Sequence, residues 1–166
     1  NILEWVEDNY PMDDSRVYVL GMSLGGYGTM DFCGTYPEKI AAGMALCGGC
    51  SLKDVQGLGE LPFWIIHGTG DRAVGVEQSK RVVRALQQAD NDYMLRFDWL
   101  PGASHGALAR IFYLEKTYQW LFSHSLRDKK RRVNMAIDIS NADLKNAYGN
   151  MNRGKTGYEE VYEIIY

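Results

Sequence analysis

The chain has 166 residues, 46% of them hydrophobic and 12% aromatic, and 18 basic against 21 acidic residues give a formal net charge of −3. A chain of this length buries roughly two-thirds of its unfolded surface, so the composition indicates one globular domain and argues against a disordered, fibrous or disulfide-framework protein. The one dense basic run, residues 127–132, has no interleaved aromatic residues, and no apolar stretch approaches the roughly 20 residues that span a bilayer, so neither a nucleic-acid partner nor a membrane span is expected.

The chain opens on a predicted amphipathic helix, residues 1–10. Residues 16–20 follow as a buried strand, because β-branched and aromatic residues there are bounded by polar residues and a glycine. Residues 27–36 are predicted to be helical and to stop at Pro37. Since the sequence begins inside an element, we expect a fragment whose true N-terminus and any targeting signal lie elsewhere, which leaves the localisation undetermined.

Alternating strands and helices continue along the chain. The apolar runs 40–47 and 63–66 are predicted strands buried on both faces. A helix is predicted over residues 76–89, a strand over 93–100 and a long helix over 108–121. This alternation predicts an α/β fold with a doubly wound, mostly parallel sheet.

The composition changes after residue 126. We therefore expect residues 1–126 to form one unit and residues 127–166 to be a C-terminal extension of unknown role. Within the extension, Ser140 is placed to cap a short helix reaching Tyr148. Residues 158–166 fit a strand or a helix equally well.

The sharpest local signal is a G-x-S-x-G motif at residues 21–25, between a predicted strand and a predicted helix. This context is typical of a nucleophile elbow, in which a sharp turn exposes a serine, here Ser23. Glycines at positions 21 and 25 are expected to avoid clashes with neighbouring backbone. The backbone N–H of Leu24 is then expected to face a developing oxyanion. The alternative is an ordinary glycine-rich turn.

A nucleophilic serine needs a base and an orienting acid, which in this arrangement follow in the order Ser, Asp, His. Asp71 directly follows the strand at 63–66, and His105 directly follows the strand at 93–100. Such loops meet at one edge of an open α/β sheet. We therefore predict Ser23, Asp71 and His105 as catalytic residues, against the alternative that both loop residues are merely solvated.

The other candidates are weaker. His67 is expected to be a structural loop residue, His124 a surface residue near the negative end of the last helix, and Asp98 part of a solvated strand face. The C-x-x-C at Cys47 and Cys50 raises redox or zinc chemistry, but the glycines around it make a poor helix and no second ligand pair follows. Loop cysteines are the favoured interpretation.

Taken together, these motifs resemble the C-terminal part of the α/β-hydrolase superfamily, in its esterase, feruloyl-esterase and predicted-peptidase branch, which is related to polyhydroxybutyrate depolymerases. The residues that carry the resemblance are Gly21 to Thr29, Tyr36-Pro37, Cys47 to Gly49, Leu61-Pro62, His67 to Asp71, Gly102 and His105. The resemblance implies Ser23 as nucleophile, His105 as base and Asp71 as its orienting acid. It implies no metal and no organic cofactor.

The resemblance also implies a deficit, since members of that superfamily carry a hundred or more residues before the elbow. We therefore expect an α/β-hydrolase fold that lacks its N-terminal strands, with self-association or an N-terminal partner segment completing the sheet. The expected substrate is a small-molecule or carbohydrate-linked carboxylic ester, cleaved through an acyl-enzyme. A serine peptidase of the prolyl-oligopeptidase type and a non-catalytic domain serving assembly remain the alternatives.

Overall fold

The computed structural model describes residues 2–51, 53 and 55–153. Four parallel strands form one sheet in the order β1-β2-β3-β4, and each pairs with the next along the chain. The strands are β1 Tyr18–Met22, β2 Ala42–Leu46, β3 Phe63–Gly68 and β4 Leu95–Leu100. The α/β class and the parallel sheet predicted from the sequence are confirmed.

Seven α-helices are assigned within the described residues. They are α1 Ile2–Asn9, α2 Leu24–Thr35, α3 Glu77–Gln88, α4 His105–Leu108, α5 Glu115–Phe122, α6 Asn141–Asn146 and α7 Tyr148–Asn152. Short 3₁₀ turns connect several of them, at Asp14–Arg16, Pro37–Lys39, Gln56–Glu60 and Ala109–Tyr113. Within the described ranges, none of these helices has the length and apolar character that crossing a bilayer requires.

Two hydrophobic clusters cover the two faces of the sheet. One face packs against α2 and α3, where Met30, Cys33 and Leu86 are fully buried. The other packs against α5 and α6 around Trp64 and Trp120, whose ring centroids lie 5.1 Å apart. Strand side chains alternate between the two clusters, so the sheet is doubly wound and its buried strands read as continuous apolar runs.

The long helix predicted over residues 108–121 is wrong. The chain leaves α4 through the 3₁₀ turn, and Leu114 is extended before α5 begins. Side chains of α5 account for the break, because Thr117 Oγ1 donates to the Ile111 carbonyl and Tyr118 Oη donates to the Phe112 carbonyl. Apolar periodicity continues across the interruption, which is why the pattern suggested one helix.

The segment after residue 126 packs back onto the sheet. The buried Arg96 guanidinium lies 3.8 Å from the Trp64 ring centroid, and its Nη1 donates to the carbonyls of Asn134 and Ile137. The predicted cap at Ser140 is present as a full capping box with Asp143. Helix α6 adds Leu144 to the core. Residues 158–166, for which two interpretations were kept, lie outside the described residues.

Candidate active site

The three predicted catalytic residues lie at one edge of the sheet. Ser23 follows β1, Asp71 follows β3 and His105 begins α4 shortly after β4. All four strands are parallel, so their carboxyl ends share this edge, where open α/β sheets bind ligands.

Ser23 occupies a sharp turn between β1 and α2. Its φ and ψ angles of 58° and −119° fall outside the regions that L-residues ordinarily adopt. Its N–H donates to the Leu46 carbonyl at 2.9 Å, which ties the turn to β2. A Cβ on Gly21 would lie 2.3 Å from the Gly25 carbonyl oxygen, so the turn requires glycine there.

The expectation for Gly25 is wrong, since a Cβ at that position would meet no atom within 4 Å. The close approach belongs instead to Gly26, where a Cβ would lie 2.5 Å from the Leu46 carbonyl oxygen. The glycine that lets α2 approach the sheet is therefore one position further along the chain.

Leu24 is the first residue of α2, and its side chain is exposed. The backbone N–H of a first helical residue has no acceptor within its helix and lies at the positive end of the helix dipole. Its position agrees with the predicted oxyanion donor, whose role stays a prediction.

Asp71 and His105 form a hydrogen bond, with His105 Nδ1 2.7 Å from Asp71 Oδ2. The other carboxylate oxygen, Oδ1, accepts the N–H groups of Ala73 and Val74, both at 2.9 Å. Burial alone raises the pKa of Asp71, but the hydrogen bonds from Val74, His105 and Ala73 outweigh it and hold that pKa below its usual value. Asp71 is thus held as a carboxylate aimed at one nitrogen of the His105 ring.

The loops that carry this pair are tied to each other. Thr69 Oγ1 accepts the Gly102 N–H at 2.8 Å, and the Gly70 N–H donates to the Ala103 carbonyl at 3.1 Å. A Cβ on Gly68 would lie 2.1 Å from the same Ala103 oxygen. The loop after β3 therefore fixes the loop that leads into His105.

Within the described residues, no hydrogen bond joins the Ser23 hydroxyl to His105. The structure thus joins two of the three predicted residues directly and places the third at the same edge of the sheet. The nucleophilic role of Ser23 stays a prediction, as does the catalytic role of the pair.

Cys47 also belongs to this site. It has a φ of 40° at the end of β2, and its Sγ lies within 4.8 Å of both the Asp71 carboxylate and the His105 ring. Burial raises the pKa of the Cys47 thiol to about 12, which disfavours the thiolate that binds metals. Asp71 and His105 are moreover bonded to each other, so the cluster fits a packed acid-base pair better than a metal centre.

The cysteines of the C-x-x-C motif are free thiols in this structure, as is Cys33. The Cys50 Sγ lies 3.2 Å from Oδ1 of Asp31. The favoured interpretation, loop cysteines, agrees with their positions at the end of β2 and beyond it.

Three residues set aside at first behave differently from expectation. His67 is fully buried inside β3 rather than in a loop, and its Nε2 lies 3.5 Å from Asp71 Oδ2. Asp98 is not merely solvated, because Oδ2 accepts hydrogen bonds from Trp64 and Arg96. The prediction of a surface His124 is wrong, since the residue is 2% exposed and packs against Trp120.

Sequence reasoning missed Cys47 and His67 as neighbours of the acid-base pair. The rule that selected Asp71 and His105, position at the carboxyl end of a parallel strand, also selects these two. Cys47 directly follows β2, and His67 is the penultimate residue of β3. Their positions at the strand ends therefore indicated a place in the site, but both residues were set aside because glycines adjoin them.

Known proteins resemble parts of this chain. Residues 52–127 match the prolyl oligopeptidase family. Acetylxylan esterase A of Emericella nidulans is 43% identical over 59 residues, covering 34% of this chain and 19% of the relative. The acetylxylan esterase A of Aspergillus oryzae is 39% identical over 56 residues, 32% of this chain and 18% of the relative. The chain thus spans about a fifth of the length of the curated relatives it matches.

Solved structures share the fold. A thermostable esterase superposes with a TM-score of 0.67 at 29% identity, over 75% of this chain and 35% of that one. A putative dipeptidyl aminopeptidase IV from Bacteroides ovatus gives 0.53 at 18% identity, over 63% of this chain and 18% of that one, a likeness of fold alone. The four-stranded sheet is therefore part of an α/β-hydrolase fold. Together these likenesses support an esterase-like α/β-hydrolase superfamily for this chain.

Proposed function

We propose that this chain carries the catalytic residues of a serine hydrolase that acts on carboxylic esters, with Ser23 as nucleophile, His105 as base and Asp71 as orienting acid. The observation that carries the proposal is the 2.7 Å contact between Asp71 and His105 at the sheet edge that also holds the strained Ser23 turn. The acetylxylan esterases and the thermostable esterase, as similar proteins, support an ester as the substrate.

The reaction follows from these roles. His105 Nε2 accepts the proton of the Ser23 hydroxyl while Oγ bonds to the carbonyl carbon of the ester, and the carbonyl oxygen becomes an oxyanion near the Leu24 N–H. The tetrahedral intermediate collapses, and the alcohol leaves with the proton that His105 took. Water then attacks the acyl-enzyme by the same route and releases the acid.

Asp71 does not take a proton in this scheme. With Oδ2 on Nδ1–H of His105, it selects the tautomer whose Nε2 is free to accept, and it stabilises the imidazolium that forms. The N–H groups of Ala73 and Val74 keep the carboxylate aimed while the charge on the ring changes. The chemistry proposed here uses no cofactor.

A second candidate is a serine peptidase, favoured by the match of residues 52–127 to the prolyl oligopeptidase family. The same three residues serve both reactions, because both pass through an acyl-enzyme. Turnover of acetylated xylan and short p-nitrophenyl esters, compared with peptide p-nitroanilides on one enzyme preparation, separates the two. We expect the esters to be preferred in kcat/KM.

A fluorophosphonate probe tests whether the protein is an enzyme at all. The probe labels only an activated serine, so the protein should be labelled stoichiometrically and its Ser23→Ala variant not at all. Labelling of the variant would show that a residue other than Ser23 is the nucleophile. A folded protein that resists the probe and hydrolyses neither substrate class would favour the assembly alternative.

We further propose that the sheet is completed by another polypeptide segment, either a second copy or an N-terminal segment. All five residues of β1 are partly exposed, whereas all five residues of β2 are buried. Within the described residues β1 has a strand partner on one side only. An open edge of this kind pairs readily with another strand.

A further inference from the structure

The ring of His67 is enclosed by hydrogen-bond acceptors. Its side chain is fully buried, with Nε2 2.9 Å from the Val74 carbonyl oxygen and 3.5 Å from Asp71 Oδ2. On the other side, Nδ1 lies 2.8 Å from Ser79 Oγ, and that hydroxyl lies 2.7 Å from the Gly48 carbonyl oxygen. Apart from the single proton of the Ser79 hydroxyl, the oxygens in these contacts carry no proton of their own.

Neither neutral tautomer supplies enough protons for these contacts. If Nε2 carries the proton, it donates to Val74, but the single Ser79 proton must then serve both Nδ1 and the Gly48 carbonyl. If Nδ1 carries the proton, Ser79 and Gly48 are satisfied, but the Nε2 lone pair faces two oxygens. Each neutral form therefore places two acceptors in contact in a buried site, which folded proteins avoid.

The imidazolium satisfies every contact. Nδ1–H donates to Ser79 Oγ, the Ser79 hydroxyl donates to Gly48, and Nε2–H donates to Val74 while facing the Asp71 carboxylate. It also gives the buried Asp71 charge a cation, as buried charges generally require. We propose that His67 is a buried imidazolium that holds the Asp71 carboxylate in place for its contact with His105. His67 is thereby a positioning residue, and its effect on turnover rests on the function proposed above.

Two opposing influences act on the ring. Burial lowers the pKa of His67 and outweighs the Val74 carbonyl and the Asp71 carboxylate, which raise it, so the net direction is downward. The titratable groups around the ring are Asp71, His105 and, against that pair, the neutral thiol of Cys47. Against that direction, the Asp71 carboxylate at 3.5 Å and the number of protons that the surrounding contacts require favour the charged ring.

His124 offers an internal control, because its surroundings demand the opposite state. Its Nδ1 lies 2.8 Å from the Trp120 carbonyl oxygen, and its Nε2 accepts the Asn134 N–H at 3.0 Å. One donor and one acceptor fit a neutral ring protonated on Nδ1 alone. Two buried histidines of one chain are therefore expected in different protonation states at the same pH.

Nitrogen-15 NMR of the histidine side chains in the full chain at pH 7 tests the charge without any catalytic assay. We expect both ring nitrogens of His67 to be protonated and one ring nitrogen of His124 to be unprotonated. Assignment comes from His67→Gln and His124→Gln, each of which removes one set of signals. An unprotonated ring nitrogen on His67 overturns the proposal, and this result does not depend on whether any ester is hydrolysed.

The pH dependence of kcat/KM in the active enzyme tests the effect on the acid-base pair. His67→Gln removes the cation next to Asp71, so the acid limb should move to higher pH by about one unit. Ser79→Ala, which withdraws the acceptor of Nδ1–H without touching Asp71, should move it in the same direction, and Ser79→Thr should restore it. Reduced activity with an unmoved acid limb in both variants overturns the positioning role.

Discussion

Gly26 at the start of α2 packs directly on the carbonyl group of Leu46 at the end of β2. A Cβ at position 26 would lie 2.5 Å from that oxygen and 3.2 Å from Cα of Gly48. The same Leu46 oxygen accepts the Ser23 N–H at 2.9 Å. One carbonyl thus sets both the approach of α2 to the sheet and the position of the turn that carries Ser23.

Gly26→Ala should destabilise the protein because the contacted atoms are backbone and cannot rotate away. Overpacking of this kind costs about 1–3 kcal/mol in the free energy of unfolding. Gly25→Ala is the matched control, since its Cβ would meet nothing within 4 Å and alanine is favoured over glycine in a helix by up to about 1 kcal/mol. Urea unfolding of both variants measures the difference, and equal losses in the two would contradict the role of this contact.

Ser23→Ala should lower ester hydrolysis by several orders of magnitude, as deletion of a triad nucleophile does. Alanine adopts the unusual backbone angles of position 23 no less readily than serine, so the fold should persist. Ser125→Ala is the control and should keep full activity. Ser125 contacts Ser15, which precedes β1, so it lies at the amino ends of the strands, away from the candidate site. Retention of a tenth of the activity against p-nitrophenyl acetate in Ser23→Ala would refute the assignment.

Asp71→Asn should preserve the fold and remove most of the activity. The side-chain oxygen can still accept the Ala73 and Val74 N–H groups, but the amide NH₂ then faces His105 Nδ1 and selects the wrong tautomer. The corresponding change in a serine-protease triad costs about 10⁴-fold in kcat. Steady-state kinetics with a circular-dichroism check measures it, and a loss of less than tenfold would show that Asp71 does not orient the base.

Strand and helix positions were largely readable from the sequence, with shifts at their ends. The first strand was expected over residues 16–20 and forms at Tyr18–Met22, because Arg16 belongs to a 3₁₀ turn that Asp13 caps. The spacing of apolar residues shows which face of a helix is buried. That spacing is the same for a continuous helix over residues 108–121 and for one that is interrupted at Leu114. Hydrogen bonds between distant side chains and carbonyls decide such breaks, and periodicity does not record them.

The pairing of Asp71 with His105 was predictable because it depends on strand order and on the ends of parallel strands. The side chains that surround the pair could not be predicted in the same way. Their identity depends on which residues of the neighbouring strands point toward Asp71 and His105. His124 shows the same limit: its position at the end of α5 suggested solvent, but the segment around Asn134 folds back and covers it. The segment around Asn134 has no apolar periodicity, so the sequence near His124 does not indicate that this segment covers it.

The isolated chain should associate in solution through β1. The strand leaves one row of backbone groups without a strand partner within the described residues, and its side chains are partly exposed. Light scattering at tens of micromolar is expected to report dimers or larger species, and co-expression with a polypeptide that supplies a neighbouring strand for β1 should suppress them. A stable, compact monomer with full esterase activity would contradict the proposal that β1 needs a partner.

The stability of the fold should fall on mild acidification because of His124. Burial lowers the pKa of His124, with hydrogen bonds from its surroundings opposing that effect only in part. A folded state with a depressed pKa binds fewer protons than the unfolded chain, whose histidines titrate near pH 6.5. The contribution of His124 to stability is therefore complete above about pH 6.5 and is lost as the pH falls below it.

The contacts of His124 explain which part of the structure responds. Protonating Nε2 would set its new N–H against the Asn134 N–H that it now accepts, so the segment from Asn134 towards α6 should loosen first. Unfolding free energies of the wild type and of His124→Gln, measured in urea from pH 7 to pH 5, isolate the effect, because Asp71 and His67 contribute alike to both proteins. The wild type should lose stability more steeply than the variant over that window, with faster amide exchange around residue 134. Parallel pH profiles would show that His124 remains neutral without cost to the fold.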